Sequence, residues 1–589
     1  YACDLNPVAV LINKPMIEIP SKFAGQPPVN PESRKNLGAS GSWRGAQGLA
    51  EDVRYYGAWM REEAQKRIGH LYPPIEITAE MAKERPDLKP LVGQKLTVIA
   101  WLWARTVKSP NPAFSHVDVT LASTFILSSK PGREAYVQPI IEGDSYRFMV
   151  KMGIPPHEAG NGTKAKGRGA NFRCLISDVP ISVDYIRDEA MGGRLREKLI
   201  CVVAEAPSRR LFLSPSIADE AVAYSAQPLW KPDIEFFQQA LGFRIGNYGM
   251  TKWSDLFSRR QLVAMSCFCD LIGIVRDKIH NDARVIDFES HVDDDKGLEN
   301  NGFGAKSYAE AVSVYLGFAI SRASDYWGRG AIWESSGLFI AHVFTRNALP
   351  MTWDYPEANP FSSGSGSWSQ TCIDWIQRYL QNVTAKLLGH TQQADAQSQT
   401  ISAYKVVSTD PPYYDNIGYA DLSDYFYVWL RPALRTCFPT LLSTISVPKS
   451  EELVATPERH GGKRKAEEFF LSGMTLAMHQ LAAQAHPNFP VTIYYAFKQA
   501  ETDSGAGTSS TGWETFLDAV IRAGFALTGT WPMRTERSGR LRDTGSNALA
   551  SSIILVCRKR PADAPTISRR EFIRELNAAL PEALDEMTR

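Results

Sequence analysis

The C-terminal part of the chain alternates between strand-like and helix-like spacing of hydrophobic side chains. Residues 491–497 form a run of β-branched and aromatic residues, which predicts a strand buried on both faces. From residue 512 to residue 523 the apolar residues recur every three or four positions, so we predict an amphipathic helix. Two more strands are predicted at residues 525–531 and 551–557. Strands that alternate with helices indicate an α/β domain.

A turn with two consecutive prolines separates a short apolar segment from the helices that follow it. We predict a buried strand at residues 404–409 and helices at about 421–435 and 463–484, with the turn at residues 410–413. Together with the later strands, this order is that of half of a doubly wound α/β domain. The remaining strands must therefore lie elsewhere in the chain.

Two further strand ends are predicted far from that half. One is the start of the chain, residues 1–6, and the other is residues 391–396, which follow a helical segment at 368–388. A long region of mixed pattern, roughly residues 25–349, separates them. We therefore predict an α/β fold with a Rossmann-like sheet that is interrupted by a large mixed α/β insertion.

The chain is therefore predicted to contain four regions. They are the start of the interrupted domain at residues 1–24, the insertion at 25–349, the second half of the sheet domain at 350–560, and a helical extension at 561–589. Because Tyr1 opens directly into a strand-like run, we expect the chain to begin inside a domain.

The insertion contains both kinds of pattern. We predict helices at 49–69 and 309–327, extended segments at 95–104 and 199–213, and linkers at 85–89 and 227–233. Within the first extended segment and just after it, Trp101, Trp103 and Arg105 occupy alternate positions, and we interpret them as one face of a strand.

Composition narrows the class of protein. The 65 Lys and Arg residues balance 64 Asp and Glu residues, so the net charge is +1 and a polyelectrolyte chain is excluded. A hydrophobic content of 44% excludes global disorder. No run approaches the ~18 apolar residues that a membrane span needs, and nothing is typical of a secretory signal. The eight cysteines are scattered, as expected of buried thiols in a reducing compartment, so we expect a cytoplasmic protein with no membrane partner.

The strongest chemical signal is the turn Asp410-Pro411-Pro412-Tyr413, at the end of a predicted strand where open α/β sheets place their ligands. The two prolines fix φ and remove two donors, so the backbone carbonyls can act as rigid acceptors. A carboxylate at Asp410 and the Pro411 carbonyl can receive both N–H groups of the adenine N6 amine, and Tyr413 offers a ring for an extruded base. The turn suits methyl transfer from a sulfonium donor. The alternative is an ordinary loop breaker.

Three more polar residues are candidates for cofactor binding. Asp4 and Asn6 follow the strand-like start of the chain, and an acidic residue at a strand end of a nucleotide-binding fold commonly binds ribose hydroxyls. Asp395 lies fifteen positions before Asp410, a spacing suited to a group near the adenine of the cofactor. A surface turn explains Asp395 equally well.

Because the net charge is near zero, DNA binding must depend on local basic clusters. The candidate phosphate contacts are Lys463 and Arg464 at the start of a predicted helix, and Arg534, Arg537, Arg540 and Arg542 in a loop between two predicted strands. The alternative for each cluster is a solvated surface.

Five segments of the sequence resemble a known family. They are residues 4–9, 353–361, 410–418, 419–424 and 460–463, and they are similar to bacterial and archaeal adenine-specific DNA methylases described as containing a zinc ribbon. The resemblance spans nearly the whole chain. It implies an enzyme that uses S-adenosyl-L-methionine to methylate adenine N6 in double-stranded DNA, in restriction-modification or phage defence and with other subunits of such a system as possible partners.

The resemblance also implies roles for individual residues. The sequence departs from the family pattern at the glycine-rich cofactor loop and at the zinc ribbon. Asp410 to Tyr413 match the catalytic motif, with Asp4 as the ribose ligand. The glycine-rich cofactor loop of the family would precede Tyr1 and has no equivalent in this sequence, so we expect weak cofactor binding.

The resemblance also implies a zinc ribbon, which would lie at about residues 105–180 and would be degenerate in this sequence. Ser109, Phe114 and Ser177 stand where the family leads us to expect cysteines, and only Cys174 remains. One thiolate cannot form a closed tetrahedral zinc site, so we expect no metal.

Two other functions stay open on the sequence. An RNA or protein amino methyltransferase could use a similar turn, although Asp rather than Asn at position 410 favours adenine over glutamine. A non-catalytic DNA-binding subunit of a modification or defence system would explain the missing glycine-rich loop.

Overall fold

A computed structural model describes the chain except for residues 36–42, 166–168, 208, 239–242, 287–295, 346–347, 415–417, 496–510, 535–550, 562 and 589. The chain divides into two compact units. Unit 1 comprises Tyr1–Gln393 and Gly418–Glu452, and unit 2 comprises Ala394–Ile417 and Leu453–Arg589.

Unit 1 contains eleven α-helices in its described residues. They are α1 Pro7–Asn13, α2 Ile19–Lys22, α3 Pro31–Lys35, α4 Gln47–Ile68, α5 Ala79–Glu84, α6 Val183–Met191, α7 Ile217–Ser225, α8 Arg259–Val285, α9 Ala305–Ser324, α10 Asp374–Asn382 and α11 Tyr419–Leu434. Two π-helical turns, Lys14–Glu18 and Trp368–Ile373, adjoin α1 and α10.

The same unit contains sixteen strands within the part of the chain that the structure describes. They are β1 Ala2–Asp4, β2 Ile75–Glu76, β3 Lys95–Leu96, β4 Val98–Lys108, β5 Asp118–Leu121, β6 Ile126–Ser128, β7 Ala135–Glu142, β8 Ser145–Met152, β9 Phe172–Arg173, β10 Pro180–Ile181, β11 Arg196–Ala206, β12 Arg209–Leu213, β13 Ile332–Glu334, β14 Phe339–Ala341, β15 Asp354–Ala358 and β16 Thr391–Gln393.

Strand β4 is at the centre of the largest sheet of unit 1. It pairs antiparallel with β11 and β15, and its C-terminal end also pairs with β5. Ten of its eleven residues are buried, which explains its continuous apolar sequence. Trp101, Trp103 and Arg105 lie in β4, which confirms the prediction that they belong to a strand, and all three are buried. Helices α4, α8 and α9 pack against one another in the same core.

Strands β1 and β16 form a small parallel sheet in unit 1. Ala2 pairs with Thr391 and Asp4 with Gln393. Both strands were predicted from sequence, and the structure confirms them. The helical segment predicted at 368–388 is shorter, because helix α10 ends at Asn382 and Val383 adopts an extended conformation.

Unit 2 contains a four-stranded sheet and four helices among its described residues. The elements are β17 Ser408–Thr409, α12 Pro457–His460, α13 Lys463–Gln484, β18 Val491–Tyr495, α14 Thr511–Arg522, β19 Phe525–Arg534, β20 Ser551–Lys559 and α15 Arg569–Thr588. The strand order is β17-β18-β20-β19, with β17 parallel to β18 and β20 antiparallel to both neighbours.

Helices α13 and α14 contribute the apolar side chains that cover this sheet. Phe470 and Met474 from α13 share a buried cluster with Phe516 from α14 and with Ile493 and Leu555 from the strands. The helix predicted at 463–484 and the strand predicted from residue 491 are confirmed. The chain is therefore mixed α/β, with several small sheets.

The predicted strand at 404–409 is mostly wrong. Tyr404 has a φ of 54° and lies in a turn, and both Tyr404 and Val406 are exposed. Regular pairing is limited to Ser408 and Thr409, with one more bond in which Thr492 donates its N–H to the Val407 carbonyl. A left-handed turn does not fit a strand, and apolar composition alone did not reveal it.

Candidate functional site

The turn Asp410-Pro411-Pro412-Tyr413 lies at the C-terminal end of β17 in unit 2. Strand β17 runs parallel to β18, so both strands end at the same edge of the sheet. Pro411 is buried, whereas Asp410 is exposed. The prolines thus anchor the turn in the core while the carboxylate reaches solvent, as a residue that receives a ligand must do.

The two chemical side chains of the turn interact with each other. Tyr413 gives a hydrogen bond to the Asp410 carboxylate. Partial burial raises the pKa of Asp410 above its ordinary value of 3.8, and the bond from Tyr413 opposes that rise. Asp410 therefore takes up a proton at a higher pH than a fully solvated aspartate.

Aromatic packing from the neighbouring strand holds the turn. The ring of Tyr413 lies edge-on to the ring of Tyr495 at 5.5 Å, and Tyr495 stacks on Phe516 at 3.9 Å. The Tyr414 backbone N–H donates to the Tyr495 hydroxyl at 3.3 Å, and the Tyr414 hydroxyl donates to Glu467 at 2.8 Å. These contacts limit the motion of the turn, so the position of Asp410 is set before any ligand arrives.

Asp4 and Asn6 lie in unit 1, at the end of β1 and the start of α1. Asp4 is exposed and accepts the Asn6 N–H at 2.8 Å. Both polar groups of the Asn6 side chain already have partners, since its oxygen accepts the Val8 N–H and its amide donates to Ser423. Asn6 is the N-cap of α1, which is sufficient reason for an asparagine at this position.

Asp395 lies in unit 2, in the irregular segment between β16 and β17. One of its carboxylate oxygens accepts the Gln397 N–H at 2.9 Å, and its carbonyl accepts the N–H groups of Ser398 and Gln399. This is a local turn of the kind that aspartate commonly stabilises.

The structure describes only some of the basic residues that were predicted to contact DNA phosphates. Lys463 and Arg464 are exposed at the start of α13, 4.0 Å from Glu467 and 3.7 Å from Glu468 respectively. Such exposed pairs are weak, so both cations can still contact phosphate. Arg534 ends β19. Arg537, Arg540 and Arg542 lie outside the described residues.

The predicted remnant of a zinc ribbon has a defined geometry. The structure brings Ser109 and Cys174 together, with 3.4 Å between the hydroxyl oxygen and the sulfur. Burial raises the pKa of the Cys174 thiol, but the hydrogen bond from the Ser109 side chain and those from the nearby backbone at Ile176 and Ser177 oppose burial, and the net pKa is lowered. Among the described residues no group of three or more His, Cys, Asp and Glu side chains could hold a metal ion.

One candidate binding residue was not predicted from the sequence. Arg105, on β4, was assigned only to a strand face, but it lines a large cavity in unit 1 together with Glu197 and Arg329. The signal was present in the sequence, because an arginine stands in an otherwise apolar run after Trp101 and Trp103. A charged residue in a buried strand requires a partner or a ligand.

Comparisons with known proteins add no identification. No protein-family model matches the chain, and no curated protein or solved structure is significantly similar to it. None of the helices among the described residues is long and apolar enough to cross a membrane.

Proposed function

We propose that this chain transfers a methyl group from S-adenosyl-L-methionine to the N6 amine of adenine in double-stranded DNA. The observation that carries the proposal is the turn from Asp410 to Tyr413. Its exposed carboxylate lies at the carboxyl end of a parallel strand pair, and its prolines and aromatic contacts keep it rigid.

The topology of unit 2 supports the proposal. Strands β18 and β19 are both antiparallel to β20, so they run in the same direction as each other and as β17. Helix α13 directly precedes β18 along the chain, and α14 lies between β18 and β19. Half of a Rossmann-like sheet has this alternation, and such sheets bind ligands at the carboxyl ends of their strands.

Asp4 fits the part of the cofactor that carries ribose. Its exposed carboxylate follows a parallel strand, and ribose hydroxyls need such an acceptor. Asn6 fits less well because its side chain caps α1 and bonds to Ser423. When bound, S-adenosyl-L-methionine supplies an electrophilic methyl group on sulfur.

The residues of the turn would orient the amine. The Asp410 carboxylate and the Pro411 carbonyl would accept the two N6 hydrogens, which favours a tetrahedral nitrogen whose lone pair can attack the methyl carbon. The nitrogen then loses one proton, and the raised pKa of Asp410 makes its carboxylate a better acceptor for that proton. The partly buried ring of Tyr413 would stack on the extruded base.

The test measures transfer of a radiolabelled methyl group to duplex DNA, followed by digestion to nucleosides. We expect label in N6-methyladenine. Asp410→Ala should lower kcat roughly 10² to 10³-fold with little change in DNA affinity, because the lost interaction forms mainly in the transition state. Asp563→Ala, which removes an exposed carboxylate in unit 2, is the matched control and should retain full activity.

Tyr413 variants separate orientation from stacking. Tyr413→Phe keeps the ring and should retain most activity, whereas Tyr413→Ala should weaken capture of the flipped base by ~1–3 kcal/mol. Fluorescence of 2-aminopurine at the target position reports that capture. Label in cytosine, RNA or protein instead of DNA adenine, or full activity in Asp410→Ala, would contradict the proposal.

A further inference from the structure

Unit 1 contains a cavity of about 550 Å³ beside the central sheet. Its walls come from β4 and β11, from the start of α8 and from residues after α9. This volume is in the range of sites that hold small molecules and cofactors. The segment 353–361, for which the methylation proposal offers no role, contributes Glu357 to the lining.

Arg105 is the buried cation of this cavity. Only 4% of the residue is exposed, and its Nε donates to the Thr352 carbonyl at 2.8 Å. Among the described residues no carboxylate lies within 4.0 Å of its guanidinium. Burial, with a smaller effect from the nearby Arg329, lowers the pKa of Arg105 to about 10. A buried guanidinium without a counter-ion is costly unless a ligand neutralises it.

The two carboxylates in the lining already have cationic partners. Glu357 lies 2.5 Å from Arg260 and accepts hydrogen bonds from Trp103 and Ser258. Glu197 lies 3.0 Å from Arg329 and accepts a bond from the Tyr355 hydroxyl. Neither is committed to Arg105, so the positive charge of the cavity remains in excess.

Two further arginines and a helix end add to this excess. Arg196 and Arg259 line the cavity and are exposed. Arg259 is the first residue of α8, a helix of 27 residues with no acidic residue in its first turn. The positive end of the helix dipole therefore lies at the cavity wall. Four arginines and two glutamates line the cavity, an excess of two positive charges.

We infer that this cavity binds a phosphorylated small molecule of about the size of a nucleotide. A guanidinium fork matches phosphate oxygens, a helix N-terminus favours a phosphate group, and an excess of two positive charges matches a phosphate dianion. The rings of Tyr224 and Trp103, 5.8 Å apart, provide an apolar wall for the organic part. This site is independent of the methylation proposal, since all of its residues lie in unit 1 and none is assigned a role in methyl transfer.

The test is calorimetric titration of the full chain with ADP, pyrophosphate and adenosine at constant ionic strength. ADP and pyrophosphate should bind at or below about 1 mM, and adenosine should not bind, because the charge provides the affinity. Arg105→Met should weaken ADP binding by at least about tenfold, and Arg105→Lys should restore only part of it because the fork is lost. Arg210→Met, which removes a partly buried arginine outside the cavity, should bind ADP like the wild type.

A second variant, Arg259→Gln, keeps the inference testable if the Arg105 variants do not fold. Arg259 is exposed, so this variant should fold, and it should weaken ADP binding roughly threefold to tenfold. Absence of saturable binding by ADP and pyrophosphate would overturn the inference. So would equal ADP affinity in the wild type, Arg105→Met and Arg259→Gln, or displacement of ADP by a short DNA duplex, which would instead make the arginines DNA contacts.

Discussion

At the scale of single residues, Asp410 combines an exposed carboxylate with a raised pKa. If its ionised form orients the amine, activity is present above that pKa and lost as the pH falls through it. We therefore expect the acidic limb of the kcat/KM profile to lie at a higher pH than the ordinary aspartate value of 3.8 permits. Asp410→Asn cannot titrate, so its residual activity should lack this limb. An unchanged limb in Asp410→Asn would assign it to another group.

A second prediction at the scale of single residues concerns Asp52 and the pH dependence of the stability of the folded state. It is fully buried on α4 and accepts hydrogen bonds from the N–H groups of Val29 and Asn30, from the Asn30 side chain and from the Tyr308 hydroxyl. Burial raises its pKa to about 6, against the effect of those donors. The folded state therefore binds a proton more tightly than the unfolded state, and the stability from this linkage is lost as the pH rises from about 4 to about 6.

The comparison of Asp52→Asn with the wild type isolates that effect. The variant should be less stable at pH 4.5, since an amide NH2 group cannot accept the bonds that one carboxyl oxygen accepts from Val29 and Tyr308. Its deficit should shrink by about 2 kcal/mol by pH 7.5, because only the wild type loses the proton linkage. Urea unfolding at both pH values measures the difference. A deficit that is the same at both would contradict the raised pKa.

At the scale of elements, the segment that carries Ser109 lies beside the segment that carries Cys174 and Ser177. Tetrahedral zinc sites hold their sulfur atoms roughly 3.8 Å apart, and the Ser109 oxygen is 3.4 Å from the Cys174 sulfur. We expect the double substitution Ser109→Cys and Ser177→Cys to create a site with three thiolates.

Cobalt(II) titration tests this expectation. The double cysteine variant should show thiolate charge-transfer absorption at one cobalt per chain, whereas the wild type and the Ser109→Ala, Ser177→Ala variant should not. Absence of stoichiometric cobalt binding in a folded double cysteine variant would show that the three positions do not converge as ligands.

Elements with a strong period were predictable from the sequence. Helix α13 begins and ends at the predicted residues, and β18 begins at the predicted Val491. Both elements were predictable because the side chains that they bury recur at the spacing of a helix and of a strand respectively. Short elements were not. The predicted linker at 85–89 overlaps a 3₁₀ helix, Pro86–Leu91, in which Leu88 and Leu91 are buried. The predicted strand before Asp410 is shortened by the turn at Tyr404.

At the scale of the whole molecule, the sequence could not reveal which distant segments meet. Helix α11 belongs to unit 1, although the segments on either side of it, ending at Ile417 and beginning at Leu453, belong to unit 2. The cavity in unit 1 joins Arg105, Arg259 and Glu357, which are separated by more than ninety residues at each step. Such contacts depend on tertiary packing, whereas the Asp-Pro-Pro-Tyr turn is contiguous and was visible in the sequence.

The central claim is that Asp410 directs methylation of adenine N6 in DNA. Single-molecule sequencing of DNA from cells that express the gene tests it most directly, because it reports the modified base and its sequence context together. We expect N6-methyladenine at a defined sequence in cells with the wild-type gene, the same result with Asp563→Ala, and none with Asp410→Ala. Genomic DNA without added N6-methyladenine, or methylation that persists in Asp410→Ala, would contradict the account.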